Sequence, residues 1–503
     1  MMDKNKKTVR QLYDNIYGYI EFKRNDFDFI LKDPFFLRLH NLKQMGLSYY
    51  VYPDALHTRF AHSLGVYENI NKIINSQNSY VGTILKKEDI YKIRLSGLLH
   101  DIGHLPLSHT FEQALYRFDT FERELESTSE SIKNNILSFE QLEDTSLKTK
   151  FYDEPKLHEK LGEFVLNASN ISKVLHKKGI SSDDIAAGFK GDIVYALEQE
   201  TESKDNSIYT KQIRNFLHSQ LDADRLDYLL RDSGFSGVKT GSFDIDKLLT
   251  SIVYDAEANY GVDESALRAI EQFFIGRFVA YCQIVGNKKV MAFEYMAQDF
   301  YYRLLKLRKE QKYHLGIRLY SYRDLTRDIL INRPEEFLNF TDDYFFSLIR
   351  EVLRNKDMMK QYDPIIVEYA DMITNVQPLI PVAYLETFAD VIDENNCLFE
   401  YLLKNEDEVC KICDEAGVLR EKIIICEPFK VSIYKSDKDP IQIFRGRKKV
   451  FNNIIDSAAS MFKYLADKEY RIYRIYAFSS QDAIEFKKVL SKRFFDFKYK
   501  GDV

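Results

Sequence analysis

The sequence predicts a mainly α protein, with a large helical core followed by a smaller C-terminal α/β region. From about residue 30 to 330 the apolar residues recur at helical rather than alternating spacing, as in Leu95, Leu98, Leu99 and Ile102, so each helix turns one side toward a core. Beyond Glu421 the pattern changes. Two runs rich in β-branched and aromatic residues, EKIIICEPFKVSIYK and IYRIYAFSS, read as strands, with amphipathic stretches over 450–464 and 481–490. The length of 503 residues exceeds what one hydrophobic core usually organises, which predicts two domains.

Proline marks where the helical pattern stops, because it removes a backbone donor and disfavours helix in the residue before it. Interruptions fall at Arg333-Pro334 and between Gln377 and Pro381. The expected division is therefore a helical domain over 1–335 and a helical, then α/β, region over 336–503. Within the first, the segment from about 118 to 156 is markedly more charged and is expected to be a solvated insertion.

Composition narrows the function. The chain is 45% hydrophobic and holds 36 Phe and 34 Tyr, which excludes a disordered chain. Its 71 basic residues stand against 77 acidic ones, so no overall field would hold nucleic acid, and a small anionic ligand is the easier partner. MMDKNKKTVR is not followed by an apolar segment, and no apolar run of about 18 residues follows elsewhere; the expectation is a cytoplasmic protein without a membrane partner. The five cysteines, at 282, 397, 410, 413 and 426, make no disulfide framework. The single CxxC at 410–413 has no second pair at zinc-finger spacing, so packed, reduced thiols are expected.

Chemistry concentrates in GLLHDIGHLPLSH, residues 97–109, which spends three of the chain's ten histidines within ten positions. Buried imidazole beside carboxylate is costly unless compensated, and a metal ion compensates it. His62 in RFAHSLGV, His100 and Asp101 in LLHDIGH, and Asp224 in QLDADRLDYLLRD form a set suited to zinc, iron, manganese or another divalent ion. On a helix His100 and Asp101 would point about 100° apart and take neighbouring edges of one coordination sphere. His104 and His109 are expected to continue from that helix, and His158 with Glu159 follows. Arg59, Arg225 and Arg277 are cations able to grip phosphates. Metal ligands, bases and phosphate grips together describe a phosphohydrolase.

The ordered pattern His62, His100-Asp101, Asp224 resembles the HD phosphohydrolase superfamily. The longer stretches LKQMGLSYYVYPDALHTRFAHSLGV, HDIGHLPLSHTFE, HEKLG and DADRLDYLLRD resemble one branch of it, the deoxynucleoside triphosphate triphosphohydrolases. The resemblance implies a metal held by His62, His100, Asp101 and Asp224. Asp222 competes for the last place, but the family's ligand stands directly before a basic residue and three positions before Asp-Tyr, as Asp224 does; Asp222 reads as a helix N-terminal carboxylate. It also implies attack by a metal-activated water at the α-phosphate, releasing deoxynucleoside and triphosphate. His104 and His109 match catalytic histidines, Glu112 an acidic partner orienting His109, and His158 with Glu159 a second pair near the α-phosphate. Arg59, Arg225, Tyr228, Asp232, Arg277 and Lys288 match phosphate or sugar contacts, and Gln44 matches a reader of the 3′-hydroxyl. Magnesium accompanying the triphosphate, a nucleotide activator and a homo-oligomer are further implied properties, and nucleotide-pool balance and antiviral defence need the same chemistry.

Some positions depart from the family pattern. Where relatives place a sugar-packing tyrosine followed by His-Lys, this chain has Val285, Asn287 and Lys288 in IVGNKKV; a β-branched Val285 in that role would still crowd a 2′-hydroxyl, with a modest discrimination of about 1–3 kcal/mol, so deoxy selectivity is less secure than triphosphohydrolysis. Lys32, Leu37 and His40 stand where nucleotide-activated relatives read guanine, which removes support for that activation site. Two other readings remain: a nucleotide-sensing regulator built on the same pocket, and an HD phosphodiesterase or nuclease.

Overall fold

Thr58 opens the central helix of the protein. In the computed structural model its hydroxyl accepts the backbone N–H of Ala61, satisfying a donor left free at a helix start, and α1 (Arg59–Asn75) follows. The structure describes residues 8–76, 86–128, 157–189, 213, 215–240, 243–254, 260–391, 393, 396–446 and 448–494. Helix α1 is buried almost all round, from Arg59 and Phe60 through Ile74, as expected for a helix with neighbours on every side. Two helices flank it, α2 (Lys87–Leu99) and, far along the chain, α5 (Ala223–Ser236). Asp222 caps α5 by accepting from Arg225 N, and Gly237 at φ 74° ends it in the left-handed conformation that glycine adopts without penalty.

Between α2 and α3 (His109–Thr128) runs a tight connection rather than a helix. His100 is the last residue with helical geometry, and Leu107 and Ser108 take positive φ values of 51° and 56°, uncommon for residues with side chains. His100 and Asp101 thus follow the helix end instead of lying within it, and His104 and His109 do not continue from the helix; Gly103 and Pro106 interrupt it first. This connection rests on α4 (Leu157–Ala168). A Cβ on Gly103 would lie 2.3 Å from both Gly162 N and His158 O, so only glycine permits the contact that brings His158 to the connection.

Helices α6 (Leu267–Ala280) and α7 (Lys288–Lys309) are joined by a π-helical turn, Tyr281–Val285; α7 packs along α3, and α9 (Pro364–Thr374) packs on both α7 and α8 (Asp342–Arg354). One apolar core contains Phe22, Leu98, Phe111, Leu161, Phe300, Phe345 and Tyr476, and therefore runs across residue 335. Each such side chain, fully buried, contributes about 1.5–3 kcal/mol.

Strands also occur inside the helical half, which the helical spacing did not suggest. An N-terminal antiparallel hairpin joins β1 (Val9–Asp14) to β2 (Gly18–Lys23), and a second joins β3 (Ile252–Tyr254) to β4 (Tyr260–Asp263). The C-terminal α/β region is as expected. Its antiparallel sheet has the order β5 (Ile380–Phe388), β9 (Glu469–Ala477), β6 (Ile423–Ser432), with α10 (Glu406–Ala416) and α11 (Ser480–Arg493) burying Ile412 and Phe486 against Tyr473 and Ile475. The β7 (Gln442–Arg445) and β8 (Lys448–Phe451) hairpin leaves that sheet and adds to the helical half, β7 pairing in parallel with β4.

The 481–490 stretch lies in α11. The 450–464 stretch is not one helix: β8 ends in it, Asn453 accepts from Ile455 N and Tyr434 Oη, and a four-residue helix follows at Phe462–Leu465, because asparagine favours turns by bonding nearby backbone. Helix α3 carries the charged segment to Thr128, and 129–156 lies outside the described residues. All five cysteines are free thiols. Among the described residues no helix is long and apolar enough to cross a membrane.

A Gly103→Ala substitution should force α4 away from the connection. Expected is a loss of about 1–3 kcal/mol in urea unfolding monitored by circular dichroism, together with weakened attachment of His158.

Candidate metal centre

Three separate elements deliver His62, His100 and Asp224 to one point. Helix α1 carries His62, the end of α2 carries His100, and the first turn of α5 carries Asp224. One ligand atom from each lies within 4.8 Å of the others: His62 Nε2 is 3.0 Å and His100 Nε2 4.0 Å from the same Asp224 oxygen. Asp101 joins them, 3.3 Å from His100 Nε2 and 3.8 Å from His62 Nε2. All four residues expected to hold a metal are therefore together.

The donor set fits a divalent cation. His100 Nδ1 lies 2.8 Å from the Gly97 carbonyl, which can only accept, so the ring carries its proton there and turns a lone pair outward at Nε2. That Nε2 is buried without a hydrogen-bond donor while facing carboxylates, an arrangement that a cation relieves. His62 is set in the same way: Nδ1 donates to Asp227 at 2.7 Å, leaving Nε2 toward Asp224. Orientation of a ligand imidazole by a carboxylate is the usual outer support of metal sites.

Charge is balanced locally. Arg59 Nη1 bonds Asp101 at 2.6 Å; burial raises the Asp101 pKa, but Arg59, His100 and His104 outweigh it and hold the carboxyl well below its usual range. Asp227 is fully buried; burial again raises its pKa, while Arg231 and His62 bring it below 3.8. Asp222 caps α5 as expected and stays out of the cluster. Burial pushes its carboxyl up to about 7 against the opposing pull of Arg225.

His104, His109, Glu112 and His158 form a second group beside the first. Glu112 uses one oxygen for each of two imidazoles, His158 Nδ1 at 2.5 Å and His109 Nδ1 at 3.2 Å, so it serves both histidines rather than His109 alone. The rings of His104 and His158 stack at 3.8 Å. Burial, then Arg59 and His158, keep the His104 pKa well below the imidazole value, and Asp101 lies 3.2 Å from its Nε2. His109 is the open member, with 60% of its side chain exposed. Glu159 sits next along α4, half-buried, and belongs to none of the three His and acid clusters among the described residues.

The phosphate and sugar candidates divide. Arg225, Tyr228 and Arg277 gather beyond Asp224: burial first, and then the neighbouring Arg225, bring the Arg277 pKa below its usual value, and Arg277 Nε is buried without a partner. Gln44 likewise presents a buried, unbonded Oε1. Arg59 is committed to Asp101 and to Ser108, and Asp232 to His57 at 2.7 Å. Lys288 is exposed and lines a cavity of about 630 Å³ with Tyr52, Asn287, Tyr384 and Arg474, away from the histidines and aspartates of the cluster. Val285 packs on Phe429, Val431 and Ile472 of the C-terminal sheet, and Tyr281, at the start of the π turn, reaches Tyr228 Oη at 3.4 Å. Tyr281, Asp227 and Arg231 were missed from the sequence. The Asp227 and Arg231 spacing of four on one helix was the available signal. Lys32, Leu37 and His40 are all exposed, His40 stacked on Phe60 at 3.6 Å.

A histidine–aspartate cluster closed by distant helices, with the dipeptide at its centre, has the arrangement of an HD-type site that could hold a divalent metal. The HD domain family model matches residues 59–231, the stretch that holds all four cluster residues. A Dictyostelium discoideum homologue of the deoxynucleoside triphosphate triphosphohydrolase SAMHD1 is 25% identical over 88% of this chain and 71% of its own. An uncharacterised protein of Mycoplasma pneumoniae is 30% identical over 52% of this chain and 51% of its own. The chain spans about half the length of the first curated relatives it matches. A solved phosphohydrolase from Bacteroides thetaiotaomicron shares the fold, with TM-score 0.65 and 20% identity over 93% of this chain and 99% of that one. These matches support the resemblance to HD-domain dNTPase-like proteins carried by the motifs.

Acid should act through Asp227. Its folded pKa lies below 3.8, so its contribution to stability is fully present above that value and is lost as pH falls below it toward the folded pKa. Asp227→Asn is expected to cost on the order of 3 kcal/mol near neutrality, by leaving Arg231 under-compensated, and to flatten the acid limb of stability measured by urea titration at a series of pH values.

Proposed function

We propose that this protein hydrolyses deoxynucleoside triphosphates to deoxynucleoside and triphosphate. The carrying observation is the meeting of His62, His100, Asp101 and Asp224 beside an exposed, carboxylate-supported His109. The four would hold a divalent transition metal (manganese, iron or zinc), with magnesium accompanying the triphosphate. A bound cation neutralises charge at the α-phosphate and acidifies water toward neutrality.

The remaining residues act around that centre. Arg225 and Arg277, with Tyr228, receive the triphosphate, whose oxygens satisfy the unpartnered guanidinium nitrogen of Arg277. Gln44 offers its free carbonyl oxygen to a sugar hydroxyl. His109, open to solvent, donates a proton to the departing 5′ oxygen, and Glu112 stabilises the imidazolium that precedes transfer. His104 and His158, buried and stacked, line the approach to the α-phosphate. Arg59 and Asp232 act by fixing Asp101 and His57. Glu159, and Lys288 in its own cavity, are assigned no contact with the reacting atoms. Turnover in an oligomer, with a nucleotide activator, in the cytoplasm, belongs to the same proposal.

The test is to incubate metal-loaded protein with each dNTP and rNTP, alone and mixed, and to resolve the products. Inorganic triphosphate with nucleoside supports the proposal; pyrophosphate with monophosphate, or tight binding without turnover, refutes it. Glu112→Gln is expected to lower kcat about 10²–10⁴-fold with metal content unchanged, whereas replacing both His100 and Asp101 by alanine should abolish metal retention and activity together.

A further inference from the structure

Helix α5 places Asp224, Asp227 and Arg231 on one face, at spacings of three and four, each with a different task. Asp224 faces the cluster. Asp227 accepts from His62 Nδ1 at 2.7 Å. Arg231 grips Asp227 with two parallel bonds, Nε to Oδ2 at 2.9 Å and Nη2 to Oδ1 at 3.0 Å. Its remaining nitrogen, Nη1, donates at 2.8 Å to Asp14 Oδ2, on the last residue of β1, more than 200 positions away. The other Asp14 oxygen accepts Ile16 N at 2.9 Å and Tyr17 N at 3.1 Å, so the hairpin turn fixes the carboxylate from behind. Asp14 is 6% exposed, Arg231 1%, Asp227 0% and His62 1%.

The neighbouring helix is shaped around this chain of contacts. A Cβ on Gly65, one turn beyond His62, would lie 1.8 Å from Asp227 Oδ1 and 2.7 Å from Arg231 Nη2. Burying a lone guanidinium is costly unless its hydrogens are all engaged, and Arg231 engages them toward two carboxylates on opposite sides. Only one of these touches His62. The other sets how strongly Arg231 draws on the first: if Asp14 were neutral, the whole cationic pull would fall on Asp227. Asp227 would then be a weaker acceptor for His62 Nδ1–H, and the His62 Nε2 lone pair less basic.

We propose that Asp14, in the N-terminal hairpin, is a positioning residue of the metal centre, acting through Arg231 and Asp227 on the ring of His62. The inference rests on His62 being a metal ligand. It assigns the hairpin a part in the centre that lies outside the HD domain's matched residues 59–231.

The test uses the full chain loaded with Co(II), reading the dissociation constant, the visible d–d spectrum at saturation, and thermal unfolding of the metal-free form. Asp14→Asn keeps the size and an oxygen for the turn amides but removes the charge. Expected is Co(II) affinity weakened about 10-fold with a shifted spectrum. Tyr19→Ser, at an exposed position of the same hairpin (68% exposed), should match the wild type in both. A variant Asp14→Asn that unfolds more easily but keeps wild-type affinity and spectrum overturns the proposal, because a purely structural role predicts that pattern. Should Asp14→Asn fail to fold, Asp14→Ser is read in the same way: its hydroxyl oxygen can still accept from the turn amides but the charge is gone, so weakened affinity with a shifted spectrum supports the relay and wild-type values overturn it. His62→Ala separates the two levels of inference. If it binds Co(II) like the wild type, the metal reading itself falls; if it loses Co(II) while Asp14→Asn is unaltered, only the relay falls.

Discussion

Asp101, Asp224 and Asp227 all lie within 4 Å of one imidazole, that of His62, in a part of the protein from which water is largely excluded. Carboxylates brought so close repel one another strongly at low dielectric, and much of the surrounding architecture answers that repulsion. Arg59 answers it at Asp101, and Arg231 at Asp227. Asp224 lies 3.0 Å from His62 Nε2 and 4.0 Å from His100 Nε2, and a divalent cation bound in that corner would complete the charge. The helices are held for the same reason: α1 is buried all round, and Gly65 lets α5 bring its acid–guanidinium pair directly against it.

Much of this was readable in the chain, and what was not has identifiable causes. The HD dipeptide, the helical spacing before residue 330 and the β-rich runs beyond 421 are local signals, and they carried the fold class and the pair His100 and Asp101. Asp224 needed the resemblance, because nothing in DADRL by itself separates a ligand from its capping neighbour. The His100 to His109 stretch reads as one helix by apolar spacing, yet Gly103 and Pro106 end it, and the left-handed backbone at 107–108 re-aims His109. The π turn was not legible either: it inserts a residue, and the ring that reaches Tyr228 from it is that of Tyr281. Asp14 was illegible, since an ion pair across more than 200 residues leaves no trace in spacing.

The C-terminal region is bound into the centre as well as attached to the core. The carbonyls of Ser432 and Ile433 hold Arg277 at 3.2 and 3.1 Å, and Gln220, just before α5, bonds the backbone of Lys435 from both ends of its amide. The guanidinium assigned to the triphosphate therefore takes its direction from a strand end more than 150 residues later.

The parallel pairing of β4 with β7 joins Gly261 to Gln442 and Asp263 to Phe444. Such a pairing gives the chain high contact order, and the loop-closure entropy falls due before the pairing rewards it. A nascent polypeptide leaving the ribosome would have threaded out its complete HD motif long before β7 exists to dock. Until then β4 keeps an open sheet edge, and that window is when a chaperone or a neighbouring polypeptide has its best access to it.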